Sequence, residues 1–168
     1  MTRPLSAVCG LFCKACTVYI ATREDPERLK AIATRFGVSP DEMHCEGCRS
    51  NRRSIVCRSC EFTACAVEKG VAFCNACDTY PCDNLKTFKN DKPHRIELFD
   101  DNERIRTAGE EVWFQEMERR YACRACGVVN AAYDLVCRQC GKRPSNDFVA
   151  EHEDAIRRHW ERLNRQEG

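Results

Sequence analysis

The sequence has no apolar run approaching the ~20 residues that a helical bilayer crossing needs. Its opening, MTRPLSAVCGLF, lacks the long apolar stretch and small-residue cleavage site of a secretory signal. Both absences point to a soluble, cytoplasmic protein. No strong charge of either sign is present: the formal net charge is +1, with 14 Lys/Arg against 11 Asp/Glu in residues 1–92 and 13 against 15 beyond. A global field that would recruit nucleic acid or membrane is therefore excluded. Large apolar side chains are scarce for 168 residues. Also missing are a phosphate-binding glycine loop, a nucleophile elbow and an H-E-x-x-H helix, so no catalytic residue is assigned.

What is abundant is cysteine, 15 in all. An odd count cannot pair completely within one chain. Most of these residues also stand in C-x-x-C pairs, whose two sulfurs can turn toward one ion, so the pattern points to metal rather than disulfides. Metal would also supply stability that a thin core lacks, since structural zinc binding is folding free energy.

The strongest pattern is Cys123-Arg124-Ala125-Cys126 followed by Cys137-Arg138-Gln139-Cys140. It reads as a zinc ribbon, two knuckles each giving two thiolates to a tetrahedral ion; the same spacing also suits a rubredoxin-like iron. Gly127 and Gly141 follow the second cysteine of each knuckle, where the backbone must turn. Val128, Val129, Tyr133, Leu135 and Val136 predict a short β hairpin between them. Four cysteines close the site and leave no open position for catalysis.

The N-terminal region contains a partial repeat. Cys57, Cys60 and Cys65 match Cys74, Cys77 and Cys82 in the form C-x2-C-acidic-x3-C, and Cys45 and Cys48 lie just upstream. These eight make two tetrahedral sites. Short loops cost less closure entropy, which favours Cys45, Cys48, Cys57 and Cys60 for one ion and Cys65, Cys74, Cys77 and Cys82 for the other. An interleaved pairing satisfies the spacing equally.

Cys9, Cys13 and Cys16 remain. Their spacing is similar to the cluster motif of radical S-adenosylmethionine enzymes, but the chain has no room for the barrel those enzymes need. An iron–sulfur cluster with a fourth ligand from elsewhere is one reading. A zinc site completed by His44 is another, and three small core residues are a third.

Cys9-Gly10-Leu11-Phe12-Cys13-Lys14-Ala15-Cys16, then Tyr19-Ile20-Ala21-Thr22, then Cys45-Glu46-Gly47-Cys48-Arg49-Ser50 and Tyr80-Pro81-Cys82 resemble a prokaryotic family of cysteine-rich domains of unknown function. The likeness covers roughly residues 5–120, with the ribbon appended. Thr17 departs from the pattern, where proline is expected after the third cysteine. The resemblance implies metal binding and brings no activity.

The coarse organisation is a cysteine-rich domain at 1–92, a helical bridge at 93–120 packing on it, and the ribbon plus a C-terminal helix at 121–168. The fold class is small, metal-stabilised and mostly α with short β hairpins. Helices are predicted from Val18 to Thr22 and from Asp25-Pro26 to Gly37, the latter burying Leu29, Ile32, Ala33 and Phe36. Ser39 to Glu42 is a capping box. Further helices run from Phe62 to Lys69 and from Cys82 to Lys89. Ile96, Phe99 and Ile105, then Val112, Trp113, Phe114 and Met117, form a stripe broken at Gly109. Phe148, Ala155, Ile156, Trp160 and Leu163 stripe a charged tail helix that either docks on the chain's own core or meets a partner.

Two basic clusters stand out: Arg49, Arg52, Arg53 and Arg58, and Arg124, Arg138, Lys142 and Arg143. They suit phosphates, although few aromatics interleave for base stacking. The alternative is a solvated surface that offsets thiolate charge. His94 and His159 have no partner at metal or catalytic spacing, and His152 and His159, two helical turns apart, are too far apart for one ion and read as surface residues.

The leading expectation is a non-catalytic binding module held by several zinc ions. Its partner is expected to be a protein first, with nucleic acid as the second candidate. The alternatives are an iron–sulfur or redox protein using Cys9, Cys13 and Cys16, and a metal- or sulfur-handling protein.

Overall fold

The computed structural model describes residues 5–166, so the first four residues of the opening lie outside it. It is mostly helical, with nine α-helices among the described residues. No helix among them is long and apolar enough to cross a membrane.

α1 (Thr17–Glu24) and α2 (Pro26–Arg35) form the first pair. Asp25 separates them, and its carboxylate accepts from the Arg28 N–H at 2.9 Å while Pro26 occupies the first helical turn. Leu29 and Ala33 are buried as the periodicity requires. Phe36 is not: it caps the helix and is 56% exposed, because the chain turns away there through Gly37 at φ 67°. α3 (Pro40–Met43) starts on the capping box, with Ser39 and Glu42 exchanging hydrogen bonds.

α4 (Ile55–Arg58) and α5 (Glu61–Glu68) follow. α6 (Asp83–Asp91) then leads through a 3-10 turn, Pro93–Arg95, into α7 (Leu98–Ala108) and α8 (Glu110–Tyr121). Gly109 at φ 89° breaks the stripe into two helices. Val112 is 43% exposed and does not join the core, whereas Trp113, Phe114 and Met117 do.

α9 (Asp147–Gln166) closes the chain. Phe148, Val149 and Ile156 are fully buried against Trp113, Tyr121 and Phe12, and Trp160 packs at the edge of that cluster. The tail helix therefore docks in cis. One core cluster thus draws residues from the N-terminal cysteine segment, from α7 and α8, and from the C-terminal part.

The expected β hairpins are absent among the described residues. Two isolated bridges, Ser6–Phe12 and Ala122–Val129, are the strand pairing among the described residues. The segment between the knuckles spends its bonds elsewhere. Ala132 N donates to Ala15 O, Ala131 N donates to the Asp134 carboxylate, and the Tyr133 hydroxyl meets His94. An N–H that bonds elsewhere is lost to a ladder, so pairing stops at the Ala122–Val129 bridge.

Candidate metal centre

The two knuckles have the same local construction. Cys123 N donates to Val128 O at 2.8 Å and Gly127 N donates back to Cys123 O at 2.8 Å. In the second knuckle Cys137 N donates to Lys142 O at 2.8 Å and Gly141 N donates to Cys137 O at 3.0 Å. Gly127 and Gly141 sit at φ 76° and 72°, a conformation that a Cβ would strain. Each turn throws its two sulfurs to the same side.

The result is a cluster in which all four sulfurs of Cys123, Cys126, Cys137 and Cys140 lie within 4.8 Å of one another. Cys123 and Cys140 stand 3.7 Å apart, Cys126 and Cys137 3.6 Å. These separations are far beyond a disulfide bond of ~2.05 Å. Four cysteines so placed can hold a metal ion. Cys123 and Cys137 are buried at 2% exposure, while Cys126 and Cys140 face solvent.

Asn130 organises the buried side, and spacing alone does not reveal it. Its amide donates to the Cys137 sulfur at 3.5 Å and to Ser145 O at 3.3 Å, and its carbonyl accepts from Arg138 N at 3.0 Å. Burial pushes the Cys137 thiol up, but the N–H groups of Cys140 and Gln139 and the Asn130 amide outweigh it and hold the group below the usual thiol range. This favours a thiolate at the position a ligand needs.

The eleven N-terminal thiols are more loosely gathered: no three of them bring their sulfurs within 4.8 Å of one another among the described residues. Cys65, Cys74, Cys77 and Cys82 line one cavity of about 280 Å³. The Lys69 ammonium reaches the Cys77 sulfur at 3.3 Å, and the Thr79 hydroxyl stands 3.2 Å from it. The bonds from Thr79 hold the Cys77 thiol below its usual range, with Lys69 adding to the effect. Burial and the charges of Cys82 and Cys65 raise Cys74 to about 12.

The other seven interleave. Cys9, Cys13, Cys48 and Cys60 share one packed cluster with Phe62 and Leu85, which Cys74 also joins. Burial raises Cys13 well above its usual range, and its neighbouring thiols are Cys48, Cys16 and Cys9. Cys57 is raised to about 12 by burial, then by Cys16, Cys45 and Cys48. Buried thiols without a counter-charge stay protonated; a divalent cation would supply that charge. His44 turns away to Glu46 at 3.3 Å and belongs to no metal-spaced group among the described residues.

A second group, Glu97, Glu151 and His152, has ligand atoms within 4.8 Å. The Arg120 guanidinium already fills it. It is ion-paired with both Glu97 and Glu151, and His152 Nε2 meets Glu97 at 2.8 Å. This is an ion-pair network that ties α9 to α8. His152 is therefore half-buried in this network. His94 and His159 also have a partner, in Tyr133: His94 Nδ1 lies 2.7 Å from its hydroxyl, and the His159 ring packs at 5.6 Å from its ring.

Both basic clusters are largely spent on the fold. Arg49 donates to Ser6 O at 2.7 Å and to Ala72 O, and lies over the Phe73 ring. Arg52 pairs with Asp41, and Arg58 donates to Arg53 O. Arg124 pairs with Asp147, Arg138 with Glu24, and Arg143 reaches Glu153 at 3.8 Å.

Residues 5–87 match the model of the DUF3795 family, described as a protein of unknown function. The match ends before α7 and α8 and leaves the four-cysteine cluster outside it. No curated protein and no solved structure matches the chain.

Proposed function

We propose that this chain is a cytoplasmic zinc-binding scaffold without a catalytic role, whose metal-held loops serve interaction with a partner. One observation carries the reading. Zinc–thiolate bonds of ~2.3 Å in a tetrahedron put neighbouring sulfurs about 3.8 Å apart, and the closest pairs in the C-terminal cluster stand at 3.6 and 3.7 Å. Four thiolates fill the ion's coordination, so the site is structural. In this reading the cluster is a zinc ribbon appended to a domain of unknown function.

Further ions belong to the N-terminal region. The cavity shared by Cys65, Cys74, Cys77 and Cys82 supports one site, with Lys69 offsetting its negative charge. The packing of Cys48 and Cys60 with Cys9 and Cys13 favours an interleaved arrangement over one using Cys45, Cys48, Cys57 and Cys60.

A second reading rests on Cys13. Its neighbours are Cys48, Cys16 and Cys9, so the triplet has a fourth thiol at hand for an iron–sulfur cluster. Metal and acid-labile sulfide analysis after anaerobic purification separates the two. Three or four zinc ions per chain and no colour support the scaffold. Iron with sulfide and visible absorbance supports the cluster. A folded, metal-free chain that takes up neither sinks both.

A further inference from the structure

Five cations that no spacing rule picks out meet in one groove. Lys89 and Lys92, on and just after α6, face Arg158, Arg162 and Arg165 of α9 across a cavity of about 470 Å³. Glu161 is the one carboxylate in its lining among the described residues. None of the five cations forms an ion pair among the described residues. The surrounding arginines differ in this: Arg157 is paired with Glu153, Arg120 with Glu97, and Arg124 with Asp147. Five positive charges gathered against a single carboxylate work against the compact state. The fold tolerates them where an anion is to be met.

The spacing specifies which anion. Arg158, Arg162 and Arg165 fall on one helix face at i, i+4 and i+7, and span roughly 10 Å along the axis. A nucleic-acid strand carries one charge per ~3.4 Å of helix axis, so the row faces about three consecutive phosphates. Guanidinium forks match phosphate oxygens two at a time. The apolar lining is Pro93, Ile96 and Ala155, with no aromatic among the described residues of the groove. A protein partner would need a buried anchor in such a place, and base reading would need a stacking platform. A phosphate backbone needs neither.

We propose that the groove between the α6–Pro93 segment and α9 binds the phosphodiester backbone of a nucleic acid without reading its bases. This does not depend on the identity of any metal.

The test is fluorescence anisotropy of the full-length, metal-replete chain with labelled mixed-sequence RNA, single-stranded DNA and duplex DNA, with polyglutamate as competitor. Binding should weaken with salt along a log–log slope of about −3 to −4 on a single strand, as five phosphate contacts require. Arg158→Glu combined with Arg162→Glu should weaken it at least tenfold, with melting temperature and metal content unchanged. Lys30→Glu on α2, as a remote charge reversal, should leave it intact. Preference for RNA or for DNA supports the proposal and identifies the source of the phosphate. Three results overturn it: no binding to any oligonucleotide at low salt, binding that survives the double reversal or falls equally with Lys30→Glu, or polyglutamate competing as well as the oligonucleotides do.

Discussion

The side-chain amide of Asn102 donates to the carbonyl of Cys9 at 2.7 Å, and the same nitrogen stands where a Cβ on Gly10 would collide with it. It also donates to Leu98 O at 2.7 Å, one turn back on α7. One buried amide therefore clamps the first cysteine loop onto α7. Gly10 lies at φ 95°, so a side chain there is strained as well as crowded. Gly10→Ala should destabilise the fold by more than ~2 kcal/mol, and Asn102→Ala by about 1–3 kcal/mol through the orphaned Cys9 carbonyl. The double variant should lose less than the sum, because removing the amide relieves the clash. Urea midpoints of the four proteins measure the cycle; strict additivity would refute the clamp.

Asn130 holds the buried side of the four-cysteine cluster. Asn130→Ala should weaken metal retention about 10–100-fold, the usual effect of losing a hydrogen bond to a ligand. Chelator competition against the wild type reads this directly. Unchanged retention would mean that the amide supports only the loop.

Asp101 is the clearest pH-sensitive group. Burial raises its carboxyl to about 7; the Trp113 indole N–H, 3.0 Å away, and the Arg120 charge oppose this, while Glu97 and Asp100 add to it. The folded state therefore holds the proton more tightly than the unfolded chain. Its stabilising contribution is complete below about pH 4 and is lost as pH rises through about 7. Asp101→Asn keeps the acceptor for Trp113 and cannot ionise. At pH 8 it should be more stable than wild type, by on the order of 1–3 kcal/mol, and the gap should close toward pH 4. Thermal melts across that range check the sign.

Trp160 packs on Tyr133, with ring centroids 5.6 Å apart, at the edge of the main core. Trp160→Ala should cost ~2–3 kcal/mol, at or below the low end of values for fully buried aromatics. A variant as stable as wild type would place the helix elsewhere in solution.

Arg49 serves the fold through its fork and its place over Phe73, at 4.7 Å from the ring centroid. Arg49→Lys keeps the charge but cannot reproduce both backbone bonds. The expected cost is about 1–2 kcal/mol, with oligonucleotide affinity unchanged. A loss of affinity at constant stability would reassign Arg49 to the nucleic-acid surface.

Local chemistry was readable where neighbours in sequence are neighbours in space. The Asp25-Pro26 start, the Ser39–Glu42 box, the break at Gly109 and the knuckles with Gly127 and Gly141 all appear as the residues imply, because each is completed within a few positions of itself. The gathering of Cys123, Cys126, Cys137 and Cys140 belongs with them, since two tight turns and a short connection bring those sulfurs together. The β hairpins failed because the intervening N–H groups found other partners, Ala131 on the nearby Asp134 carboxylate and Ala132 on the distant Ala15 carbonyl, not on a facing strand.

Interactions across many residues were beyond the reach of spacing. The arginine clusters looked free in sequence, yet carbonyls and carboxylates from distant segments claim many of them. Lys89, Lys92, Arg158, Arg162 and Arg165 looked unremarkable, yet docking of α9 brings them together. Short-range order follows from turn and cap chemistry that each segment carries with it. Which charges are neutralised and which are left facing one another depends on how helices more than sixty residues apart pack, and that depends on the shape of the shared core around Trp113 and Phe148.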